Sequence, residues 1–395
     1  MKNNRILSLV VDALLLISIA VLYTWSIFAA QLESTLGFDH VQTSAVFTVS
    51  ICSYCGGSLL AGVLSKYVRM SFVLLIAAIF LSGGFALSGL FGTLWSYMIG
   101  YGLLSGAGVG MVYNAVLCDC ARRFPDKSGL SSGILLMSYS FGALLFSHVS
   151  AALIVRFELQ SVFLRFAVFE LIILLAGALF SHLIPVPCEA KFSGNNTEAN
   201  SSKAGISPVA MIRMRSFYLI FFWLMIISAS ALTVIGSTTL MVQAAGFTPQ
   251  VGTLLTGLVS FIGAFGRLGF GQMFDKHGHS ATVRADGFLI TCSAVFMLIA
   301  LLCHLRIAFI IGLLLLGFSF GGMSSICAAL VNHLYGLQYY AQNLSIVSLQ
   351  MIPASLLGPM IASTIYDRTE SYLFVFVVVL ALSLLANVIG YKIDR

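Results

Sequence analysis

Apolar runs of about 20 residues follow one another from end to end of the chain, separated by short polar stretches. Twelve runs predict twelve helices, at about 8–30, 41–64, 71–91, 94–118, 128–154, 162–184, 215–243, 250–273, 283–303, 307–331, 339–365 and 371–391. At about 1.5 Å per residue each can cross a hydrocarbon core of roughly 30 Å. The runs are continuous rather than alternating, which argues against a β-barrel. One polar stretch is longer than the rest. Residues 185–214, beginning PVPCEAKFSGNNTEANSSKAGISP, are rich in Ser, Asn and Pro and predict a flexible linker. It divides the chain into a six-helix bundle at 1–184, a cytoplasmic linker at 185–214 and a second six-helix bundle at 215–395. The expected fold class is an all-α integral membrane protein with twelve transmembrane helices in two halves.

Composition agrees. The chain is 59% hydrophobic and only 9% charged, with mean hydropathy +1.02, whereas soluble proteins carry about 25% charged residues. The net charge of +6 reflects loop polarity and not an anionic partner such as nucleic acid. With the N-terminus placed inside, 15 Lys and Arg fall in cytoplasmic loops and tails, Arg122 and Arg123 among them, and 4 fall outside: Arg156, Arg165, Arg306 and Arg368. That bias predicts two cytoplasmic termini. The eight cysteines lack metal-site spacing. The first run is too long for a signal-peptide core and is expected to be retained. The triplets at Asn195 and Asn200 fall in a cytoplasmic loop, which discounts glycosylation. No Ser/His/Asp grouping, phosphate loop or metal spacing points to an enzyme, and no cofactor is expected.

Polar residues inside spans carry the functional reading. Arg267 lies in the eighth span, in SFIGAFGRLGFGQMFDKHGHS, and is the one basic residue counted neither inside nor outside. A mid-span arginine costs roughly 2.5–3.5 kcal/mol on insertion scales and marks a functional site by default; the bland alternative is an anchor that snorkels to the interface. Tyr23 and Trp25 in the first span read as interface-belt or cavity residues. Tyr113 and Asn114 in the fourth span and Tyr139 in the fifth read as helix-packing or cavity groups. Asp12 is a helix-start or a coupling carboxylate. Glu170 either pairs locally with Arg165 or carries a proton. Gly106 and Gly110, and Gly129 and Gly133, form pairs four apart, expected to pack the fourth span on the fifth. Pro353 and Pro359 are expected to interrupt the eleventh span.

The halves resemble each other. Gly57 matches Gly266 at an offset of 209, and Gly106, Gly108 and Gly110 match Gly317, Ser319 and Gly321 at 211. This predicts a duplicated six-helix unit. In that register Ser58 is the counterpart of Arg267, so the charge is a one-sided addition to the scaffold.

At these residues the chain resembles the major facilitator superfamily along its whole length. GQMFDKHG, with Gly271, Asp275, Lys276 and Gly278, looks like the superfamily's gating-loop signature G-x-x-x-D-[RK]-x-G; the first-half copy, GVLSKYVR, lacks the aspartate. Within the superfamily the chain looks most like the oxalate/formate antiporter family, related to monocarboxylate transporters. The segments that carry this are YTWSIF, GAGVGMVYN followed by RRFPDKSGLSSG, and GRLGFG. The resemblance implies a major facilitator fold, with Arg267 as the carboxylate-binding residue and Tyr23, Tyr113 and Tyr139 as cavity tyrosines. The family's oxalate carriers add a lysine in the eleventh span. That place here falls on Met351, with Gln350 beside it.

One cation suits one carboxylate, because a second would leave net charge in a low-dielectric cavity. The expectation is therefore a carrier of small organic anions, formate, lactate or pyruvate before oxalate, working by antiport or proton symport. Arg267, Tyr23, Tyr113, Tyr139, Trp25 and Gln350 are the candidate substrate residues, and Glu170 and Asp12 the coupling candidates. The expected setting is a monomer in a bacterial inner membrane. The rival readings are an exporter of drugs or other small molecules on the same fold, and a transporter-like receptor that moves nothing.

Overall fold

The computed structural model describes residues 2–184, 205–235, 238, 241–242 and 248–393. These contain helices and no strand. The first span is α1 (Lys2–Ile19) and α2 (Trp25–Leu36), joined by a 3₁₀ turn, Ala20–Thr24. It is followed by α3 (His40–Leu64) and α4 (Met70–Phe91). A short α5 (Leu94–Ser96) leads through a π-helical stretch, Tyr97–Ser105, into α6 (Gly106–Arg123). Next come α7 (Ser128–Arg156) and α8 (Leu159–Leu183), then α9 (Pro208–Arg213), α10 (Arg215–Ile235) and α11 (Pro249–Leu302). The chain ends with α12 (Arg306–Tyr335), α13 (Tyr340–Ser348), α14 (Met351–Thr369) and α15 (Leu373–Ile393). Eleven stretches among the described residues are long and apolar enough to cross a membrane. One of them, Gly257–Leu302, covers both the eighth and ninth expected spans. It is broken at Gly278, where φ is 80° and ψ 176°, a conformation that glycine adopts without strain.

The eleventh expected span breaks where Pro353 requires it. A proline offers no N–H to the carbonyl four residues back and its ring crowds that group. Here the carbonyl is that of Leu349, and the gap between α13 and α14 falls at Leu349–Gln350. Pro359 is carried inside α14. Of the expected linker, 185–204 lies outside the described residues, including Asn195 and Asn200. Its end is docked: the Ile206 amide donates to the Tyr335 carbonyl at 2.9 Å, and Asn343 Nδ2 donates to the Ile206 carbonyl at 2.9 Å.

Two compact units are present. The first comprises Met1–Asp126, Ser138–Pro208 and Leu334–Ile346; the second comprises Lys127–Met137, Val209–His333 and Val347–Arg395. Each takes most of one sequence half and a short segment of the other.

In lipid, apolar side chains gain little by leaving solvent, so close packing must hold helices together. In the first unit α3 and α6 meet backbone to backbone. A side chain on Gly57 would strike the Ala107 carbonyl, one on Gly106 the Ser50 carbonyl, and one on Gly110 the Tyr54 carbonyl. The second unit repeats this contact for contact between α11 and α12: Gly266 against Phe318, Gly317 against Val259, Gly321 against Gly263. Every pair is related to its counterpart by the offsets of 209 and 211. The duplicated unit is thus visible in the packing. Gly106 and Gly110 therefore pack on the second span, not the fifth as expected. Gly129 and Gly133 pack on α11, against Gly271 and the Arg267 carbonyl.

Aromatic rings pack together in the first unit. Phe28 meets Phe163 at a tilt with 4.8 Å between ring centroids, and Tyr101 meets Trp25 at a tilt with 4.5 Å. The second unit has a mainly aliphatic core around Val234, Met297, Leu313, Leu316 and Val379, with the Phe309 and Phe376 rings meeting edge-on within it.

Candidate functional site

The three expected cavity tyrosines come together in the first unit, and a fourth joins them. Tyr23 meets Tyr139 edge-on at 5.4 Å between ring centroids. Tyr139 lies 5.8 Å from Tyr113, and Tyr113 meets Tyr54 edge-on at 5.5 Å. The four come from the 3₁₀ turn, α7, α6 and α3. Such offset and edge-on pairs are the favoured aromatic geometries. The 3₁₀ turn that presents Tyr23 is held by the Tyr101 hydroxyl, which donates to the Leu22 carbonyl at 2.7 Å. That bond serves a carbonyl where regular helical bonding lapses. Trp25, two residues on, is buried, and its Nε1 donates to the Thr43 carbonyl at 2.9 Å. Its polar handle is spent on packing α2 against α3.

Arg267 sits in α11 of the second unit, half-buried, directly after the seam glycine Gly266. A Cβ on Gly133 would lie 2.7 Å from the Arg267 carbonyl oxygen, so α7 passes close by its backbone. One turn further, a side chain on Gly271 would overlap the Gly129 carbonyl. Both positions need glycine for this approach. The approach lets Asp275 reach the start of α7, where its carboxylate accepts from the Gly129 amide at 2.9 Å and the Leu130 amide at 2.7 Å. The first amides of a helix have no partner within it, and the helix dipole favours an anion there. Asp275 is thus the cap of α7, while Lys276 and His277 are exposed. Gly278 makes the break that follows.

Gln350 lies in the second unit at the break between α13 and α14, buried at 2% exposure. Its side-chain carbonyl accepts from the Ser228 hydroxyl at 3.1 Å, and that hydroxyl also lies 2.9 Å from Met323 Sδ.

The first unit has its own contact of this kind, made with an uncharged side chain. Asn114, wholly buried, donates to Ser58 Oγ at 3.0 Å and to the Ala341 carbonyl at 2.9 Å. A Cβ on Gly62, the counterpart of Gly271, would meet Ala341 and Ser345. Where the first loop copy lacks an aspartate, an asparagine on α6 reaches the start of α13.

Three buried carboxyl sites stand apart from these groups. Glu170 is wholly buried on α8, beside Ser18 of α1. Arg165 instead lies over the Phe157 ring at 3.4 Å. Five residues along a helix turn a side chain through roughly 500°, which puts the two on different faces and rules out the expected local pair. Asp12 is buried at 4% on the third turn of α1, within electrostatic range of Asp119 and Arg123. Arg123 is buried rather than in a loop. Its Nε pairs with Asp119 and its Nη2 donates to the Ile184 carbonyl at 2.9 Å. Asp286, wholly buried, accepts from Ser319 Oγ at 2.6 Å.

Sequence reading passed over Tyr54, the Asp119–Arg123 pair and Asp286. The i,i+4 spacing in DCARR was the available signal for the pair. For Tyr54 it was the repeat register, which sets it on the α3–α6 seam. Among the described residues no group of three or more His, Cys, Asp or Glu could hold a metal ion.

Comparison with known proteins fits this architecture. Among curated proteins, the chain is 25% identical over 350 residues to the uncharacterized MFS-type transporter YhjX of Escherichia coli K12, covering 88% of this chain and 85% of that one. It is 24% identical over 358 residues to the oxalate:formate antiporter of Oxalobacter formigenes, covering 90% and 84%. Among solved structures, a bacterial homologue of the iron transporter ferroportin in an outward-facing state matches with a TM-score of 0.74 at 17% identity, covering 99% of both chains. The E. coli fucose:proton symporter FucP matches at 0.69 and 13%, covering 99% and 100%. These likenesses are of fold alone. The family model of the Major Facilitator Superfamily matches residues 13–351, and with the duplicated glycine seams and the capped loop at Asp275 it shows that this chain belongs to the Major Facilitator Superfamily.

Proposed function

We propose that this transporter carries small organic anions by alternating access, with monocarboxylates as its substrates. The observation that carries the reading is Arg267. It follows a seam glycine at the place where the other half of the duplicated scaffold has Ser58. The matching seams pack without a charge at that place, so a packing role does not account for the arginine. Its guanidinium offers a planar fork of donors that matches a carboxylate. We also propose Tyr23, Tyr113 and Tyr139 of the first unit, and Gln350 of the second, as substrate residues. The 24% identical antiporter supports an anion of this class. Met351, where an oxalate carrier would place a second cation, supports one carboxylate rather than two.

Binding the anion neutralises Arg267 and lowers the cost of closing around it. An empty carrier resists closure, which favours exchange. Glu170 or Asp12 could replace that requirement by carrying a proton. We place the protein in a bacterial inner membrane with both termini cytoplasmic, as the 15-to-4 division of basic residues supports.

The test is uptake of labelled formate, lactate, pyruvate and oxalate by proteoliposomes. One loading holds unlabelled acid inside; another is empty, with an imposed pH gradient. Uptake only into loaded vesicles means exchange, and uptake driven by the gradient means symport. If none of the four acids moves under either condition, and labelled butyrate does not move either, the carboxylate reading is wrong.

A further inference from the structure

Tyr54 is the one member of the tyrosine row that the family resemblance does not assign. Three observations argue that it is there for substrate. First, the row is continuous: Tyr23, Tyr139, Tyr113 and Tyr54 follow at centroid steps of 5.4, 5.8 and 5.5 Å. The Tyr54 phenol also lies within electrostatic range of the other three. Four separate elements contribute one ring each, so helical periodicity does not produce the row. Second, the place of Tyr54 is fixed by the seam. Its carbonyl faces Gly110, where a Cβ would overlap it, and Gly110 stands one turn before Tyr113 on the same helix. One backbone contact therefore positions both rings. Third, the scaffold does not need them. The second unit has the same seam contact between Gly321 and Gly263. There Gly263 stands in the register of Tyr54, and Ser324 in that of Tyr113. Like Arg267, the pair is an addition to one half only.

We propose that Tyr54 is a specificity-determining residue. With Tyr113, Tyr139 and Tyr23 it selects monocarboxylates that have an apolar body of several carbons over formate and oxalate. The inference rests on the anion-carrier reading above and narrows its substrate class. A one-carbon acid touches one ring of such a row at most. A second carboxylate would meet ring edges and phenol groups that bring no compensating cation, and buried charge without a partner is strongly unfavourable. An alkyl or aryl body instead gains from each ring it covers, by about fourfold in affinity for each methylene group buried.

The test is equilibrium competition by formate, acetate, butyrate, hexanoate, phenylacetate and oxalate against labelled butyrate, on full-length protein in nanodiscs. Wild type is compared with Tyr54→Ala, Tyr54→Phe and Arg267→Gln. Affinity in the wild type should climb several-fold per methylene from formate to butyrate, with oxalate among the weakest. Tyr54→Ala should weaken butyrate and phenylacetate by at least tenfold and acetate by less than threefold, flattening the climb. Tyr54→Phe keeps the ring and should keep the climb, which separates a lost wall from a damaged fold. The proposal is overturned if formate or oxalate outcompetes butyrate, or if Tyr54→Ala changes all acids by one factor or none. In those cases a loss of all binding in Arg267→Gln would still uphold the anion-carrier reading. A climb that depends on Tyr54 but ignores Arg267→Gln would uphold the row and remove the arginine. No binding of any acid to the wild type would remove both.

Discussion

Arg123 is the side chain whose loss the first unit should tolerate least. Its ion pair with Asp119 is buried, with side chains 5% and 3% exposed. It also donates to the Ile184 carbonyl, which caps α8, and a second carboxylate, Asp12, lies in its field. Arg123→Gln removes a buried positive charge from beside two buried acids, the only one near them among the described residues; neighbouring Arg122 is exposed and acts through solvent. Breaking a buried pair by removing one partner costs about 3–5 kcal/mol. The second acid puts this site in the upper part of that range, so we expect about 4 kcal/mol. Removing the negative partner as well should recover much of it, because a buried pair exchanged for uncharged groups is often near neutral. Arg123→Gln with Asp119→Asn should therefore be the more stable of the two variants, by about 2 kcal/mol. The assay is unfolding in mixed micelles titrated with dodecyl sulfate and followed by tryptophan fluorescence. A double-mutant cycle isolates the coupling. A loss below about 1 kcal/mol for Arg123→Gln, or losses that simply add in the double variant, would refute the buried-charge reasoning.

Two further predictions follow from the helix contacts. Asp275→Ala leaves the Gly129 and Leu130 amides without their acceptor and should lower stability by about 1–2 kcal/mol in the same titration; Asp275→Asn, which keeps one acceptor oxygen, should lose less, and equal losses would refute the capping role. Gly57→Ala places a methyl group into the Ala107 backbone, whereas a Cβ on Gly56 meets nothing within 4 Å. The first should cost at least about 1–3 kcal/mol by overpacking and the second should be neutral, and similar values for the two would contradict the seam.

Much of the architecture was legible because lipid imposes a simple rule on sequence. Every span must be a long apolar run, so the runs could be located without knowing their neighbours. Pro353 located the break at Gln350 through a local steric effect. The repeat was legible because close helix contact demands glycine, and Gly57, Gly106 and Gly110 recur as Gly266, Gly317 and Gly321. Which helix each glycine faces was not legible. Gly129 and Gly133 looked suited to the nearest glycine-rich helix, yet they pack on α11, because spacing gives a smooth face and not its partner. The site was read in part. Tyr23, Tyr113 and Tyr139 do gather, but Trp25 turns inward to Thr43, a choice set by the 3₁₀ turn that precedes it. Tyr54 was missed because one tyrosine in an apolar run has no pattern of its own until the seam fixes its register. Arg123 was counted with the loop since it ends α6, and its burial depends on Asp119 and on the end of α8.

The central claim is that Arg267 binds the carboxylate of the transported anion. The most direct measurement is exchange of the best wild-type acid in proteoliposomes, with wild type, Arg267→Lys and Arg267→Gln reconstituted to equal amounts of folded protein. Arg267→Gln should abolish exchange. Arg267→Lys, which keeps the charge without the planar fork, should retain a small fraction of it. Undiminished exchange by folded Arg267→Gln would contradict the claim and leave Arg267 as an interfacial anchor.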